Sequence, residues 1–418
     1  MGGNPVICFS HSNPPFSFIF TRMQSNILIV VALVLVLAGC KEEVVDKTAA
    51  FGVFCEMVAN EAKPVALSEP LASSDLDSYW EDFQLIADSY DVMIYREKEF
   101  PVTSLFPATV TDDKEVVIIG TNLSLIRYHQ FKKDLPELEA ESAARRFGRL
   151  LGYTPQGIND LLMKNTEFKS LKSYGVKAQI THLFYNDVEE AITFYRDVLG
   201  LQSDNDSTFI VGSESKIQLH VYNEDHPEGQ NQSTAIALLT DQLPQWYEYA
   251  QEQEIPIKYS YKPRQGGPHD GFVAIDPGGY LLEFEQFKQH PENELLIAAF
   301  EQTSQVFTSI DSLSFYGSIT WTYHNDLLRM QQFYEEVLGF RMVADQGWTK
   351  IYQTSESGFI GLVDERRGMM DYADEKAVEI EWQLVETAAA VKYFSAHSYW
   401  KQENNYLEGP ERYRYLLR

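Results

Sequence analysis

The chain repeats itself. Thr181-His-Leu-Phe-Tyr-Asn-Asp187 is followed by Phe194-Tyr-Arg-Asp-Val-Leu-Gly200, and Thr320-Trp-Thr-Tyr-His-Asn-Asp326 by Phe333-Tyr-Glu-Glu-Val-Leu-Gly339. Every matched position, from Thr181 and Thr320 to Gly200 and Gly339, is displaced by the same 139 residues, with nothing inserted between. A period that regular means two copies of one supersecondary unit, which fixes the architecture before any single element is considered. In each copy an alternating strand runs into Asn-Asp, a helix cap, and the helix ends at a glycine suited to a left-handed terminus.

The first copy spans residues 176–288. Ala178 to Phe184 alternates as a strand, the capped helix runs through Leu199, and Ser207 to Val211 and Lys216 to Tyr222 read as strands. A weaker unit follows. It has strand Ala235 to Thr240, helix Leu243 to Gln253, strands Ile255 to Tyr261 and Gly271 to Ile275, the turn Asp276-Pro277-Gly278-Gly279, and strand Tyr280 to Phe284. Two strand-helix-strand-strand units side by side predict a cupped sheet with its helices outside.

A helical linker, residues 289–313, leads to a second copy, 314–418. There Val378 to Leu384 reads as a strand and Thr387 to Ser395 as a helix, but no Asp-Pro-Gly turn follows. By the common offset Arg418 corresponds to Gly279, so this copy reads as incomplete, or as one whose last strand is replaced by another segment. Residues 51–173 show no resemblance to the repeat. Helical spacing over Asp75 to Ser89, strands at Val92 to Tyr95 and Glu115 to Ile119, a helix over Leu135 to Leu151 and another begun by Thr154-Pro155 predict an accessory α+β domain. The whole is expected to be α+β.

The length, 418 residues, exceeds a single ordinary core. The formal net charge of -27 disfavours nucleic acid, whose phosphates most of the surface would repel. Ile27 to Ala38 is an unbroken apolar run, at about 18 Å too short for a bilayer helix. It ends in Leu37-Ala38-Gly39-Cys40, which resembles the bacterial lipobox. Residues 1–39 are therefore expected to be a signal peptide, Cys40 the lipidation site and residues 40–50 a tether. Residues 1–22 are unlike a signal's leading segment, and Met23 is the more natural start, although no Lys or Arg then precedes the run. The resemblance implies an exported protein held at the bacterial cell envelope through a lipid anchor. Lys41 favours the outer membrane in a Gram-negative host. With Cys40 acylated, Cys55 would be the one thiol left, and no disulfide framework is expected.

Across the last 245 residues or so, the twice-met Phe-Tyr-x-x-Val-Leu-Gly helix end and the Asp-Pro-Gly-Gly…Glu closure resemble the vicinal oxygen chelate superfamily of glyoxalase, bleomycin-resistance and extradiol-dioxygenase proteins. The resemblance implies tandem βαβββ modules forming cupped mixed sheets, with the two copies as an intrachain pseudo-dimer. It also implies a small-molecule ligand and a divalent metal (Fe, Mn, Ni or Zn) inside the cup. The family's first-strand ligand falls on His182 and its closing-strand ligand on Glu283. The ligand that opens the second unit falls on Ala235, which cannot bind metal, so His220 or His269 would have to complete the set. In the second copy Trp321 replaces His182, and Glu379 or Glu381 could be donated across the pseudo-dimer. Trp321, Tyr323, Trp348 and Trp382 suggest either an aromatic-lined cup or a packed core. The loop bearing Gly266, Gly267 and His269 matches the family's substrate-contacting position.

Two functions follow as expectations. One is small-molecule binding in the cup, without metal. The alternative is a metal-dependent lyase, isomerase or dioxygenase acting on an oxygen-rich substrate.

Overall fold

The computed structural model describes residues 47–106, 113–310, 312–402 and 405–418. The lipobox with Cys40 and the start of the tether lie outside them. The end of the expected tether is already structured: helix α1, Lys47–Ala59, buries Phe51, Cys55 and Val58.

The accessory domain continues with β1 (Val65–Leu67), α2 (Ser73–Ser89), β2 (Met93–Glu97), β3 (Val116–Gly120), α3 (Asn122–Asp134), α4 (Ala140–Leu150) and α5 (Pro155–Asn165). Its three-stranded antiparallel sheet has the apolar β3 in the middle. The Thr154 side chain caps α5 as expected, accepting a bond from the Gly157 N–H at 3.1 Å. The Tyr128–Lys132 cluster on α3 is structural. Tyr128 and Lys132 both donate to the buried Glu97 carboxylate, at 2.8 Å.

The first copy supplies β4 (Val176–Tyr185), α6 (Val188–Thr193), β5 (Ser203–Asn205), β6 (Thr208–Gly212), β7 (Ser215–Val221), β8 (Thr234–Leu239), α7 (Leu243–Glu252), β9 (Ile257–Tyr259), β10 (His269–Ile275) and β11 (Leu281–Phe287). The linker holds α8 (Glu294–Phe300) and β12 (Val306–Phe307). The second copy supplies β13 (Ser314–Phe315), β14 (Gly317–His324), α9 (Leu327–Gln332), β15 (Arg341–Asp345), β16 (Thr349–Gln353), β17 (Gly358–Asp364), β18 (Val378–Leu384), α10 (Thr387–Phe394), β19 (Trp400–Lys401), β20 (Tyr406–Glu408) and β21 (Arg414–Leu417). The local signals operate as read. Asp187 accepts from the Glu190 N–H and Asp326 from the Arg329 N–H, each at 3.0 Å. Gly200 and Gly339 take φ of 64° and 73°.

The two copies exchange halves. One eight-stranded sheet runs β5-β6-β7-β4-β18-β21-β20-β19, the other β9-β10-β11-β8-β14-β17-β16-β15. Each therefore joins the first unit of one copy to the second unit of the other. The seams are antiparallel, β4 on β18 and β8 on β14. A pseudo-twofold passes between Thr181 and Thr320, whose hydroxyls bond to each other at 2.6 Å. The helix-bearing faces of both sheets share one core, containing Tyr185, Trp246, Phe284, Tyr334, Trp382 and Tyr415. The intrachain pseudo-dimer is thus present, but neither copy builds a cup by itself.

The second copy is complete, which corrects the expectation of a missing closing strand. β21 pairs parallel with β18 just as β11 pairs with β8. Its entry turn is Gly409-Pro410-Glu411-Arg412-Tyr413, in which Arg412 adopts φ 63° where Gly279 adopts 83°. Tyr413 stands 133 residues after Tyr280, not 139, so the second copy is six residues shorter before its last strand. The two tyrosines do the same work. Tyr280 donates to the Ala377 carbonyl and receives the Phe184 N–H, while Tyr413 donates to the Ser233 carbonyl and receives the Tyr323 N–H.

Candidate functional site

Strand exchange decides which side chains meet. His182 lies on β4 and Glu283 on β11, in different sheets. The expectation that they share one hollow is corrected. His182 faces the second copy's Glu379 across the seam, and Glu381 stands one pleat further along, opposite Ile180. Glu283 faces Ala237, and Ala235 faces Trp321. The family's three ligand positions are therefore split. His182 keeps company with Glu379 and with Leu416, the counterpart of Glu283, while Glu283 keeps company with Trp321 and Ala235.

In the His182 cup most of the polar groups pair with one another. His182 Nδ1 and His220 Nε2 are hydrogen-bonded at 2.7 Å, so His220 belongs to this cup. Burial, then the neighbouring His182, depress the His220 imidazole to a pKa of about 4. His182 Nε2 is buried without a hydrogen bond and lies 3.4 Å from the Glu381 carboxylate. Glu379 is held at 3.0 Å by His226, which stacks on Phe184, and at 3.5 Å by Arg414. Burial works to raise the Glu379 carboxyl, but the His226 bond and the surrounding positive charge outweigh it and hold it below its ordinary value. Glu379 thus stays ionised but is already paired where a metal ligand would be needed.

The Glu283 cup has the opposite character. Ala235, Ala237, Ile319, Trp321, Tyr323, Ile351 and Val363 give it an apolar floor. Helix α8 closes one end, with Leu296 and Ala299 buried and Phe300 packed on Phe287, Tyr316 and Phe359. At the other end lies a cavity of about 160 Å3, lined among others by Trp321, Tyr323, Trp348, Phe287, Met369 and the carboxyls of Glu283 and Glu285. Arg367 stacks on Trp348, 5.0 Å from its centroid. Burial pushes Glu283 up to about 7, and burial together with the Glu283 charge raises Glu285 well above the ordinary carboxyl range. Glu285 Oε2, His269 Nδ1 and Trp321 Nε1 are buried without hydrogen-bond partners. His269 lines the hollow, while Gly266 and Gly267 lie in the turn leading to β10. The aromatic alternative divides: Trp321, Tyr323 and Trp348 line the cup, whereas Trp382 is core, stacked on Tyr415 at 5.0 Å.

The indole of Trp321 rests on Gly361, where a Cβ would collide with its ring. Gly361→Ala is expected to drive Trp321 off the floor and destabilise the fold by about 1–3 kcal/mol, the usual cost of overpacking. Thermal unfolding and the near-ultraviolet circular dichroism of the tryptophans check this, and an unchanged spectrum would count against the placement.

Neither cup fits the family's metal. At the family's three ligand positions the His182 cup offers one imidazole, a carboxylate already paired with His226 and a leucine, and the nearby His220 is bonded to His182 itself. The Glu283 cup offers two carboxyls whose ionisation burial opposes, beside an indole and two alanines, with no imidazole at the first-strand position. Among the described residues no group of three or more His, Cys, Asp or Glu is disposed to hold an ion.

Two exchanged cupped mixed sheets, each of two strand-helix-strand-strand units with its site on the face away from the helices, define the class of fold. Residues 178–284 match the family model of the Glyoxalase/Bleomycin resistance protein/Dioxygenase superfamily, and the chain carries a domain of that superfamily. The matched segment crosses from one cup into the other. No curated protein matches the chain. Among solved structures, it is similar to a putative dioxygenase from Bacillus subtilis (15% identity, covering 59% of this chain and 85% of that one, TM-score 0.42). It is also similar to glyoxalase I from Zea mays (17%, 57% and 91%, TM-score 0.37) and to lactoylglutathione lyase from Agrobacterium tumefaciens (23%, 26% and 90%, TM-score 0.21).

Proposed function

We propose that this chain binds a small molecule in the Glu283 cup, without a metal. The observation that carries the reading is the aromatic hollow itself, in which three buried polar atoms lack partners. Such atoms are costly to leave unsatisfied, and a bound polar group would relieve them. The chain would act as a receptor or carrier, tethered through Cys40 at the cell envelope. Cys40→Ala should release it from the membrane fraction.

Native mass spectrometry of the purified protein, paired with metal analysis, tests the binding reading. The expected result is a retained organic mass that Glu283→Gln together with Trp348→Ala abolishes, and no stoichiometric metal. Stoichiometric metal that disappears with His182→Ala would overturn it in favour of a metal-dependent lyase, isomerase or dioxygenase.

A further inference from the structure

The Glu283 cup contains two hollows that meet. The deep aromatic one of about 160 Å3 adjoins an outer one of about 580 Å3 that opens past Lys258, Lys262 and Arg264. His269, Glu283, Glu285 and Met369 border both, so a single ligand can extend from the mouth to the tryptophans.

Three cations at one mouth are conspicuous in a chain with 34 Lys and Arg against 61 Asp and Glu. With acids in such excess, a lysine or arginine readily finds one, yet none of these three takes part in any ion pair among the described residues. The Lys258 ammonium lies 5.5 Å from the Tyr259 ring centroid. Arg264 uses its backbone, with its N–H donated to Asp270 and its carbonyl accepting from Lys288. Asp270, the acid of the outer hollow, is taken by Lys288 at 2.6 Å. The remaining acids there are Glu283 and Glu285, which stand further in, where the outer hollow meets the aromatic one. His269 is pushed toward its neutral form, first by burial and then by the Arg264 charge. The mouth is therefore a local positive field on a strongly negative protein, and the wall behind it is aromatic and apolar.

We propose that the Glu283 cup takes an organic anion with an apolar body. A carboxylate, sulfonate or phosphate head sits at Lys258, Lys262 and Arg264, and an aromatic or acyl body lies between Trp321 and Trp348. This rests on the binding reading above and adds the ligand's class. Guanidinium and ammonium groups on exposed stems suit such a head, since they reach it without being desolvated themselves. The unpartnered Glu285 Oε2, His269 Nδ1 and Trp321 Nε1 meet a polar atom between head and body.

The test compares two dyes with the same ring skeleton, anilinonaphthalene sulfonate and its neutral parent phenylnaphthylamine. Binding to the full protein is read as energy transfer from tryptophan, and the part lost in Trp348→Phe reports this cup. The sulfonate should bind about tenfold more tightly than the neutral dye, as expected for several partly exposed charge contacts acting together. Added salt should shrink that margin, and Lys258→Ala/Lys262→Ala/Arg264→Ala should erase it. Equal affinities in the unaltered protein, or a margin that survives the triple substitution, would overturn the anion proposal and leave the binding reading standing. No Trp348-dependent transfer with either dye would remove both.

Discussion

Residues 176–288 produced alone are expected to form a homodimer, with no folded monomer beneath it. In the intact chain β4 is hydrogen-bonded to β7 on one side and to β18 on the other, and β8 to β11 and to β14. Cutting out the first copy strips one edge from each of these strands. Both are nearly all buried, and β8 reads Thr-Ala-Ile-Ala-Leu-Leu, so the bare edges would be long and apolar. A second molecule supplies what the other copy supplied, β8 for β18 and β4 for β14. The Thr181–Thr320 contact on the pseudo-twofold becomes a contact between two copies of Thr181. Light scattering should give twice the chain mass, with a melting temperature that rises with protein concentration. A monomeric, cooperatively folded species would show that one copy can close its own cup and would contradict the exchanged topology.

That dimer would have a site the intact chain lacks. The β4–β7 half of one molecule would pair with the β8–β11 half of the other, placing His182 and the partner copy's Glu283 in one cup, opposite Ala235. The reading of His182 with Glu283 follows from the first copy's sequence taken by itself, and it describes that homodimer. Alternation and capping report which strands and helices exist, because both act within a few residues. They carry no information on whether β4 pairs with β8 or with β18, since either partner presents a largely buried strand after a loop of similar length. What was legible was the candidacy of Glu379 and Glu381 as residues donated across the interface, because the repeat placed them on the strand matching Ala235.

The closing strand was hidden for a different reason. A six-residue shortening moved it out of register with the 139-residue offset, and its turn lost both glycines. The surviving signal was Pro followed three residues later by Tyr, in Pro277…Tyr280 and again in Pro410…Tyr413. The asymmetry of the cups was partly visible as well. Trp321 in place of His182 announced an aromatic floor, but Gly361, which makes room for the indole, is recognisable only once β14 and β17 are seen to be neighbours.

The chemical difference between the cups should appear in the pH dependence of stability. Glu283 has its folded-state pKa raised by burial from 4.5 to about 7, and Glu285 is displaced in the same direction. Between those values the unfolded chain has released the proton that the folded chain still holds. Unfolding is therefore favoured progressively as pH rises through this window, and the penalty is fully developed above about 7 and absent below about 4.5. At 1.36 kcal/mol per unit, a shift of that size corresponds to roughly 3 kcal/mol at alkaline pH, a cost that Glu283 shares with Glu285 because the two carboxyls titrate as a pair. Glu379 and Glu381 in the other cup are held below their ordinary values, so they contribute with the opposite sign and lose their stabilisation only as pH falls toward 4.5 and below. The whole-protein profile mixes the two, and the informative quantity is the difference between Glu283→Gln and the unaltered chain in denaturant titrations at each pH. Gln keeps the shape and removes the titration, so the variant should be more stable by roughly 3 kcal/mol at pH 8, with the gain vanishing near pH 4. The same gain at both ends would mean that Glu283 titrates normally and that its side chain lies in water instead of against the aromatic wall.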